Sequence, residues 1–286
     1  MDLEHKAIER LKQASEMSIH FYQAPLLITA SGGKDSDICL ELAKRSGITY
    51  EVQHSLTTAD APQTVHHIKK QFYELELQGI KCNISYPMYK GKRTSMWRLI
   101  EQKKMPPTRI GRYCCEILKE GAGAGRMITT GVRWAESNKR KSRGVLEAIS
   151  RNKDNKIILT NDNDDKRQLI EKCEMQAKTV CNPIIEWMDS DVWNYIDSEK
   201  IDVNPLYYCG FNRVGCVGCP MAGKTRYYEF RMFPKYQQNY IKAFERMLAL
   251  KSNVTTWKTG EDVFRWWMEE DFMQLRFEDI LKERVQ

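Results

Sequence analysis

The fold is decided by Pro25-Leu26-Leu27-Ile28-Thr29-Ala30, which runs directly into Ser31-Gly32-Gly33-Lys34-Asp35-Ser36. A short apolar run bounded by a glycine pair reads as a buried strand, and the residues after Ser36 carry apolar side chains at helical spacing through Ala43. Strand, glycine turn and helix follow one another without a gap. Successive glycines let backbone N–H groups approach an anion without Cβ clashes, the helix N-terminus adds positive partial charge, and the two serines add hydroxyl donors. The turn therefore predicts a pyrophosphate cradle.

Working outward, Leu3 to about Tyr22 has the spacing of an amphipathic helix, with apolar residues at Leu3, Ala7, Leu11 and Ala14. A second strand is expected at Ile48 to Gln53, a helix from Thr64 to Leu77 and a third strand at Lys81 to Ser85, with Gly47 and Gly79 as stops. Strands alternating with helices imply an α/β fold, a parallel sheet flanked by helices. Arg126 to Arg133 and Lys178 to Ile185 read as two more strands, separated by a polar stretch, Glu136 to Lys166, expected to be an exposed insertion or mobile loop. Asp191 to Ser198 predicts a short helix capped by Ser190. The expected organisation is one domain over residues 1–220 and a helical C-terminal extension over 221–286.

At 286 residues and 42% hydrophobic content the chain can bury a sizeable core, which excludes a disordered tail or a disulfide-held mini-protein. Lys plus Arg outnumber Asp plus Glu by 45 to 38, and the net charge of +7 favours anionic partners without choosing among nucleotides, sulfate esters and nucleic acid. No run approaches the roughly 20 apolar residues of a membrane helix. The first residues, Met1 to Lys6, lack the apolar core of a signal peptide, so a soluble cytoplasmic protein without membrane partners is expected.

Nine cysteines in such a compartment suggest metal or redox chemistry over structural disulfides. Cys216 and Cys219 form a CxxC pair whose thiolates converge, and Cys114-Cys115 supplies an adjacent pair upstream. Spacing alone leaves a cluster, zinc, and redox thiols open. Cys39, Cys82, Cys173 and Cys181 read as small buried hydrophobes. Gly218 to Thr225 spells GxxxxGKT, yet it lacks the buried strand that a Walker A loop requires directly before it. Asp162-Asn163-Asp164-Asp165 reads as a solvated acidic loop, since the turn glycine and closing glutamate of a calcium loop are missing. The aromatic residues between Trp187 and Trp267 read as packing, with Arg226, Arg231 and Lys235 among them as a weaker nucleic-acid stacking alternative.

SGGxDS after a strand resembles the PP-loop of the ATP pyrophosphatase superfamily (adenine nucleotide alpha hydrolase-like), and the wider pattern is similar to its phosphoadenosine phosphosulfate (PAPS) reductase family. The matching pieces are His54 with Thr57-Thr58-Ala59-Asp60-Ala61-Pro62, Arg112-Tyr113-Cys114-Cys115 with Leu118-Lys119-Glu120, Gly131-Val132-Arg133-Trp134-Ala135-Glu136-Ser137, and Asn204-Pro205-Leu206-Tyr207 leading into Gly215-Cys216-Val217-Gly218-Cys219-Pro220. This resemblance implies an adenine nucleotide, ATP or PAPS, held by Ser31, Gly32, Gly33, Asp35, Ser36, His54, Asp60, Gly131, Arg133 and Ser137. Lys34, Asp35 and Arg133 are implied as catalytic, with Mg2+ offsetting the leaving group. The cysteine pattern resembles the ligand set of the 4Fe-4S cluster in adenylylsulfate reductases. Cys114, Cys115, Cys216 and Cys219 would then be the ligands, with Cys209 as substitute. Adjacent cysteines strain around one ion but can bind different irons of a cube, which favours a cluster over zinc.

Sulfonucleotide reduction in this family uses a nucleophilic cysteine near the C-terminus, resolved by thioredoxin or a similar thiol. No cysteine follows Cys219, and the usual Glu-Cys-Gly tail is absent. The expectation is therefore ATP-dependent activation of a substrate for sulfur transfer, similar to the DNA phosphorothioation branch of the family and to tRNA thiolases. A sulfur donor such as a cysteine desulfurase, a nucleic-acid acceptor and a homo-oligomer are the implied partners. The alternatives are a sulfite-releasing reductase and a non-catalytic nucleotide-binding redox regulator.

Overall fold

A computed structural model of the chain describes residues 2–121, 123–149, 156–159, 178–250 and 256–269. The chain forms two compact units. Unit 1 comprises Met1–Ser55, Pro62–Ser85 and Ala122–Val214, and unit 2 comprises Leu56–Ala61, Tyr86–Gly121 and Gly215–Gln286.

The strands are β1 (Leu26–Thr29), β2 (Tyr50–Ser55), β3 (Cys82–Ser85), β4 (Met88–Tyr89), β5 (Lys92–Arg93), β6 (Met127–Thr129), β7 (Leu146–Ile149), β8 (Lys156–Leu159) and β9 (Lys178–Cys181). Unit 1 is built on a seven-stranded sheet of order β3-β2-β1-β6-β9-β7-β8. From β3 to β9 every pairing is parallel, whereas β7 pairs antiparallel with both β9 and β8. The polar stretch expected to be a loop thus contributes a two-stranded addition to the sheet edge, in which Leu146 and Ala148 are buried and Glu147 between them is buried too, its carboxylate accepting from the Gly144 N–H at 3.3 Å and from Asn182 Nδ2 at 3.2 Å. Asp162 to Asp165 and Cys173 lie outside the described residues.

The parallel strands are covered on both faces. Leu26 and Ile28 enter one core cluster with Ala7, Leu11 and Ala14 of helix α1 (Leu3–Tyr22) and Ile38 and Leu42 of helix α2 (Lys34–Ser46), while Leu27, Ile128 and Val180 pack together in another. Truncating a side chain as enclosed as Leu11 would cost about 2–5 kcal/mol. Helix α1 starts where the Asp2 side chain accepts from the Glu4 N–H, and α2 stops at Gly47 with φ of 68°. Helix α3 (Pro62–Leu77) follows β2 as expected, and the sixth strand is confined to Met127–Thr129. The helix expected from Asp191 runs Asp189–Glu199, and its end is tied by the Asp191 carboxylate accepting from the Met188 N–H at 2.7 Å. Ser190 falls inside that helix and does not cap it.

Strand order in unit 1 reverses at β1, with β2 on one side and β6 on the other. In open α/β sheets the crevice at the carboxyl ends of such strands is where ligands bind.

Unit 2 is mainly helical: Met96–Lys103, Tyr113–Cys115 continuing as a π-helical turn to Glu120, Thr225–Met232, Pro234–Ala249 and Gly260–Met268, with the β4–β5 hairpin. Its core is aromatic. Tyr240, Phe244 and Trp267 are buried, and Trp97, Phe230 and Phe264 meet them mostly edge to face. No described helix is long and apolar enough to cross a membrane.

Candidate functional site

In unit 1 the glycine turn leaves β1 and is folded back on itself by Ser36. Its hydroxyl donates to the Gly33 carbonyl at 2.7 Å and accepts from the Ser31 N–H at 3.2 Å. Gly32 has φ of 74°, and a Cβ there would meet Thr64 Cγ2 at 2.8 Å, so glycine is required on two counts. Asn204, fully buried, donates to the Gly32 carbonyl and to Thr64 Oγ1, both at 3.0 Å. The Lys34 N–H, first in α2, donates to the Tyr207 hydroxyl at 3.0 Å. Among the described residues the amides of Gly32 and Gly33 have no such internal partner. They are the groups available to an anion.

Beside this loop lies a network of charges. Arg133 is 1% exposed; its Nε donates to Asp35 Oδ1 at 2.6 Å, one Nη to the Trp187 carbonyl at 3.1 Å and the other to Asp189 Oδ1 at 2.7 Å. Lys34 Nζ lies 3.2 Å from Asp35 Oδ2 and 3.9 Å from Asp189 Oδ1. The hydrogen bond from Arg133 holds the Asp189 carboxyl below its usual range. Gly131 approaches so closely that a Cβ there would stand 2.7 Å from the Asp35 carbonyl. The structure thus brings together Ser31, Gly32, Gly33, Lys34, Asp35, Ser36, Gly131 and Arg133. It uses the Arg133 guanidinium to fix Asp35 and Asp189, so in this arrangement Arg133 is a positioning residue.

Other expected residues fall as follows. His54, the penultimate residue of β2, is 4% exposed, and places Nδ1 at 2.8 Å from the Ala30 carbonyl while its Nε2 is buried without a partner. Ser137 is exposed and, with Trp134, Asn138, Lys141, Met188 and Asp189, lines a hollow of about 500 Å³. In the basic run after it, Arg140 pairs with Glu136 and Arg143 with Glu147. Sequence reading missed Asp189, and it missed that Asn204 and Tyr207 brace the glycine turn. The signal for Asp189 was an acidic residue in a helix first turn.

Unit 2 gathers the expected cysteines from two segments. The CxxC turn is pinned at Gly218, whose φ of 76° and 2.4 Å separation between a built Cβ and Phe230 admit only glycine. Val217 N–H donates to the Ala59 carbonyl at 2.8 Å, Tyr240 Oη to the Val217 carbonyl at 3.0 Å, and Cys216 Sγ to Thr57 Oγ1 at 3.3 Å. Asp60 belongs to this unit and accepts from the Thr57 N–H at 2.8 Å, closing its own turn.

Cys114, Cys115, Cys216 and Cys219 act on one another electrostatically. Cys115 is pulled down to about 5, first by its hydrogen bond with Cys114 and then by Arg112, whose guanidinium lies 3.4 Å from the sulfur; Cys114 rises correspondingly. Lys119 is held charged above its usual range, chiefly by Cys216, with Asp60, Cys219 and Cys115 adding to it. Cys209 is exposed and belongs to unit 1. Cys39 and Cys181 are buried, and burial pushes Cys39 up and the half-buried Cys82 up to about 11, away from the thiolate form. Among the described residues no group of three or more His, Cys, Asp or Glu side chains is arranged to hold a metal ion.

Residues 25–222 match the family model described as the phosphoadenosine phosphosulfate reductase domain. An uncharacterized protein of Methanocaldococcus jannaschii is 25% identical over 250 residues, covering 85% of this chain and 53% of that protein. The chain spans about half the length of the curated relatives it matches over most of its own length. Among solved structures, the PAPS reductase of Candida auris in its phosphate complex is 16% identical with a TM-score of 0.47, covering 74% of this chain and 88% of that one. A U34-tRNA thiolase from Methanococcus maripaludis, solved with its 4Fe-4S cluster, is 10% identical with a TM-score of 0.46, covering 94% and 81%.

Proposed function

Because the chain belongs to the phosphoadenosine phosphosulfate reductase domain family, we propose that it binds ATP at the glycine turn of unit 1, transfers AMP to an oxygen of an acceptor with release of pyrophosphate, and that sulfur from a donor then displaces AMP. The observation that carries this reading is the network around Asp35, in which Lys34, Arg133 and Asp189 fix the first turn of α2 beside the free amides of Gly32 and Gly33. Those amides and the α2 N-terminus bind the departing pyrophosphate, where fixed donors stabilise charge as it develops. Ser31 and Ser36 set the loop's shape. Lys34, paired with Asp35 in the same network, supplies a cation beside the turn. Mg2+ arrives as the counter-ion of ATP, and Asp189, with 71% of its side chain exposed, is the carboxylate open to it. The buried lone pair of His54 Nε2 accepts from a ribose hydroxyl or the adenine amine.

In unit 2 four soft thiols on two segments, with Arg112 and Lys119 as surrounding cations, have the donor chemistry of an iron–sulfur cube, although the described residues do not arrange three or more of them around one ion. Cys114, Cys115, Cys216 and Cys219 would hold it. When bound, a 4Fe-4S cluster supplies a place where sulfur is held or passed on. The chain's own contribution there is to keep Cys115 deprotonated and to exclude water with the aromatic core.

The test is anaerobic purification followed by iron and sulfide assay and mass spectrometry of the products from ATP and, separately, from PAPS, with and without DNA or RNA. AMP and pyrophosphate from ATP, lost in Asp35→Ala and in Ser36→Ala, is the expected result. Sulfite from PAPS and a thiol donor, abolished by Cys209→Ser, would overturn it in favour of a reductase.

A further inference from the structure

The charge of the chain is concentrated in one stretch of unit 2. Residues 86–112 hold eight of the 45 Lys and Arg side chains and one of the 38 Asp and Glu, so this stretch alone accounts for the net charge of +7. Its one acid, Glu101, is paired with Arg246. Lys90, Lys92, Arg93, Arg98 and Lys104 are exposed, and among the described residues none of these five is in a salt bridge. The stretch opens with the β4–β5 hairpin, which pairs Met88 with Arg93 and Tyr89 with Lys92. The two residues at its tip, Lys90 and Gly91, have φ of 50° and 74°. Two left-handed residues in succession suit the twist of a hairpin, and Asn or Gly is usual at the first of them. Lysine there keeps the turn and puts a charge at its tip. The Thr94 N–H closes the base of the hairpin on the Pro87 carbonyl at 2.9 Å.

Aromatic rings are interleaved with these cations. The Arg93 guanidinium carbon stands 3.5 Å from the centroid of Tyr86, and Lys103 and Lys90 place Nζ at 4.9 Å and 5.6 Å from the centroid of Tyr89. Tyr86 is 46% exposed and Met88 55%. A cation held over a half-exposed ring offers positive charge and a π-face at one place. An acidic protein surface uses only the charge, and an anionic lipid surface calls for a broad apolar face that this hairpin lacks. A nucleic-acid strand with unstacked bases uses both, its phosphates meeting the cations and its bases the rings and guanidinium planes. We propose that this hairpin is a docking surface for single-stranded nucleic acid, in which Lys90, Lys92 and Arg93 neutralise phosphates and Tyr86, with Arg93 over it, takes a base. The surface lies in unit 2 and its binding does not depend on the ATP reading.

The experiment is fluorescence anisotropy of a labelled oligothymidylate of about 15 nucleotides with the full chain, across about 50–300 mM NaCl and without ATP. Wild type should bind it more tightly than a duplex of equal length. Lys90→Gly, Lys92→Gln and Arg93→Gln combined should weaken binding at least about tenfold and make the slope of log affinity on log salt shallower by about two, roughly 0.7 for each cation removed. Removing as much charge from exposed lysines of unit 1, with Lys12→Gln, Lys69→Gln and Lys70→Gln combined, should leave affinity within about twofold. Tyr86→Leu should weaken binding at least about fivefold with the slope unchanged. Equal losses in the two triple variants, a duplex bound as tightly, or an unaffected Tyr86→Leu each overturns the proposal. Binding to phosphatidylserine vesicles with none to the oligonucleotide also overturns it. Should the hairpin triple variant fail to fold, Lys92→Gln alone decides, and an unchanged salt slope sinks the surface. Turnover of ATP without oligonucleotide binding overturns this proposal alone, and binding without turnover overturns the ATP reading alone.

Discussion

The Lys34 N–H and the Tyr207 hydroxyl meet at 3.0 Å although 173 residues separate them. The first N–H groups of a helix have no partner within it. Here one is capped by a hydroxyl from the turn Pro205–Cys209, whose aromatic ring is held by an edge-on Trp193 at 5.5 Å between centroids. Tyr207→Phe keeps the ring and removes the cap. The expected loss is about 0.5–1.5 kcal/mol in urea unfolding, and an unchanged midpoint would show that the bond does not contribute.

Gly131→Ala places a methyl group 2.7 Å from the Asp35 carbonyl, so the first turn of α2 has to move. Overpacking of this kind costs about 1–3 kcal/mol. Because the displaced residue belongs to the proposed phosphate site, pyrophosphate release should fall by more than the stability does. Wild-type turnover in this variant would detach Gly131 from the site.

Arg133→Ala leaves Asp35 and Asp189 without their shared guanidinium and should cost about 3 kcal/mol or more, measured by denaturant unfolding. Arg133→Lys keeps the charge but cannot serve Asp35, the Trp187 carbonyl and Asp189 at once. It should recover only part of the stability.

Asp189 gives a pH test. Its carboxyl is held below the ordinary value of 3.8 by the hydrogen bond from Arg133. A group with a depressed folded-state pKa contributes stability that is present above the unfolded value and lost as pH falls through the folded one. Asp189→Asn should therefore be less stable than wild type near neutrality, and the difference should shrink as the medium is acidified below 3.8. A difference that is constant with pH would remove the ion pair from the account.

Gly218→Ala combines a left-handed backbone with a 2.4 Å encounter with Phe230. The CxxC turn should be distorted, with a loss of about 2 kcal/mol or more and less iron retained on anaerobic purification. Full iron content would show that the turn tolerates a side chain.

What could be read from sequence was local. The strand, SGGKDS turn and helix are set by neighbours within a dozen residues, and the structure places Ser31, Gly32 and Gly33 between β1 and α2 and Lys34, Asp35 and Ser36 in the first turn of α2. The pairs Cys114-Cys115 and Cys216-x-x-Cys219 are also local signals. Asp189 escaped, and so did the bracing roles of Asn204 and Tyr207, which were quoted only as part of the family pattern, because each acts on α2 or its loop from more than 150 residues away, where no period reports the contact. Arg133 was legible as important but not as a strut, since a guanidinium that binds phosphate and one that fixes two aspartates look the same in a motif. The β7–β8 addition was hidden by its charged flanks.

The interleaving of the two units governs how the chain is made. Unit 1 draws on three separate segments and is complete only once Val214 has been synthesised, while unit 2 draws on three others. During translation β1 and β2 emerge together, but β6 waits for residue 127 and β9 for residue 178. The growing sheet therefore spends much of its synthesis with an unpaired edge at β1, the situation in which nascent chains recruit chaperones. Neither unit can be excised as one continuous fragment, so ribosome-stalled chains of increasing length, not truncated proteins, are the means of following each to its native state.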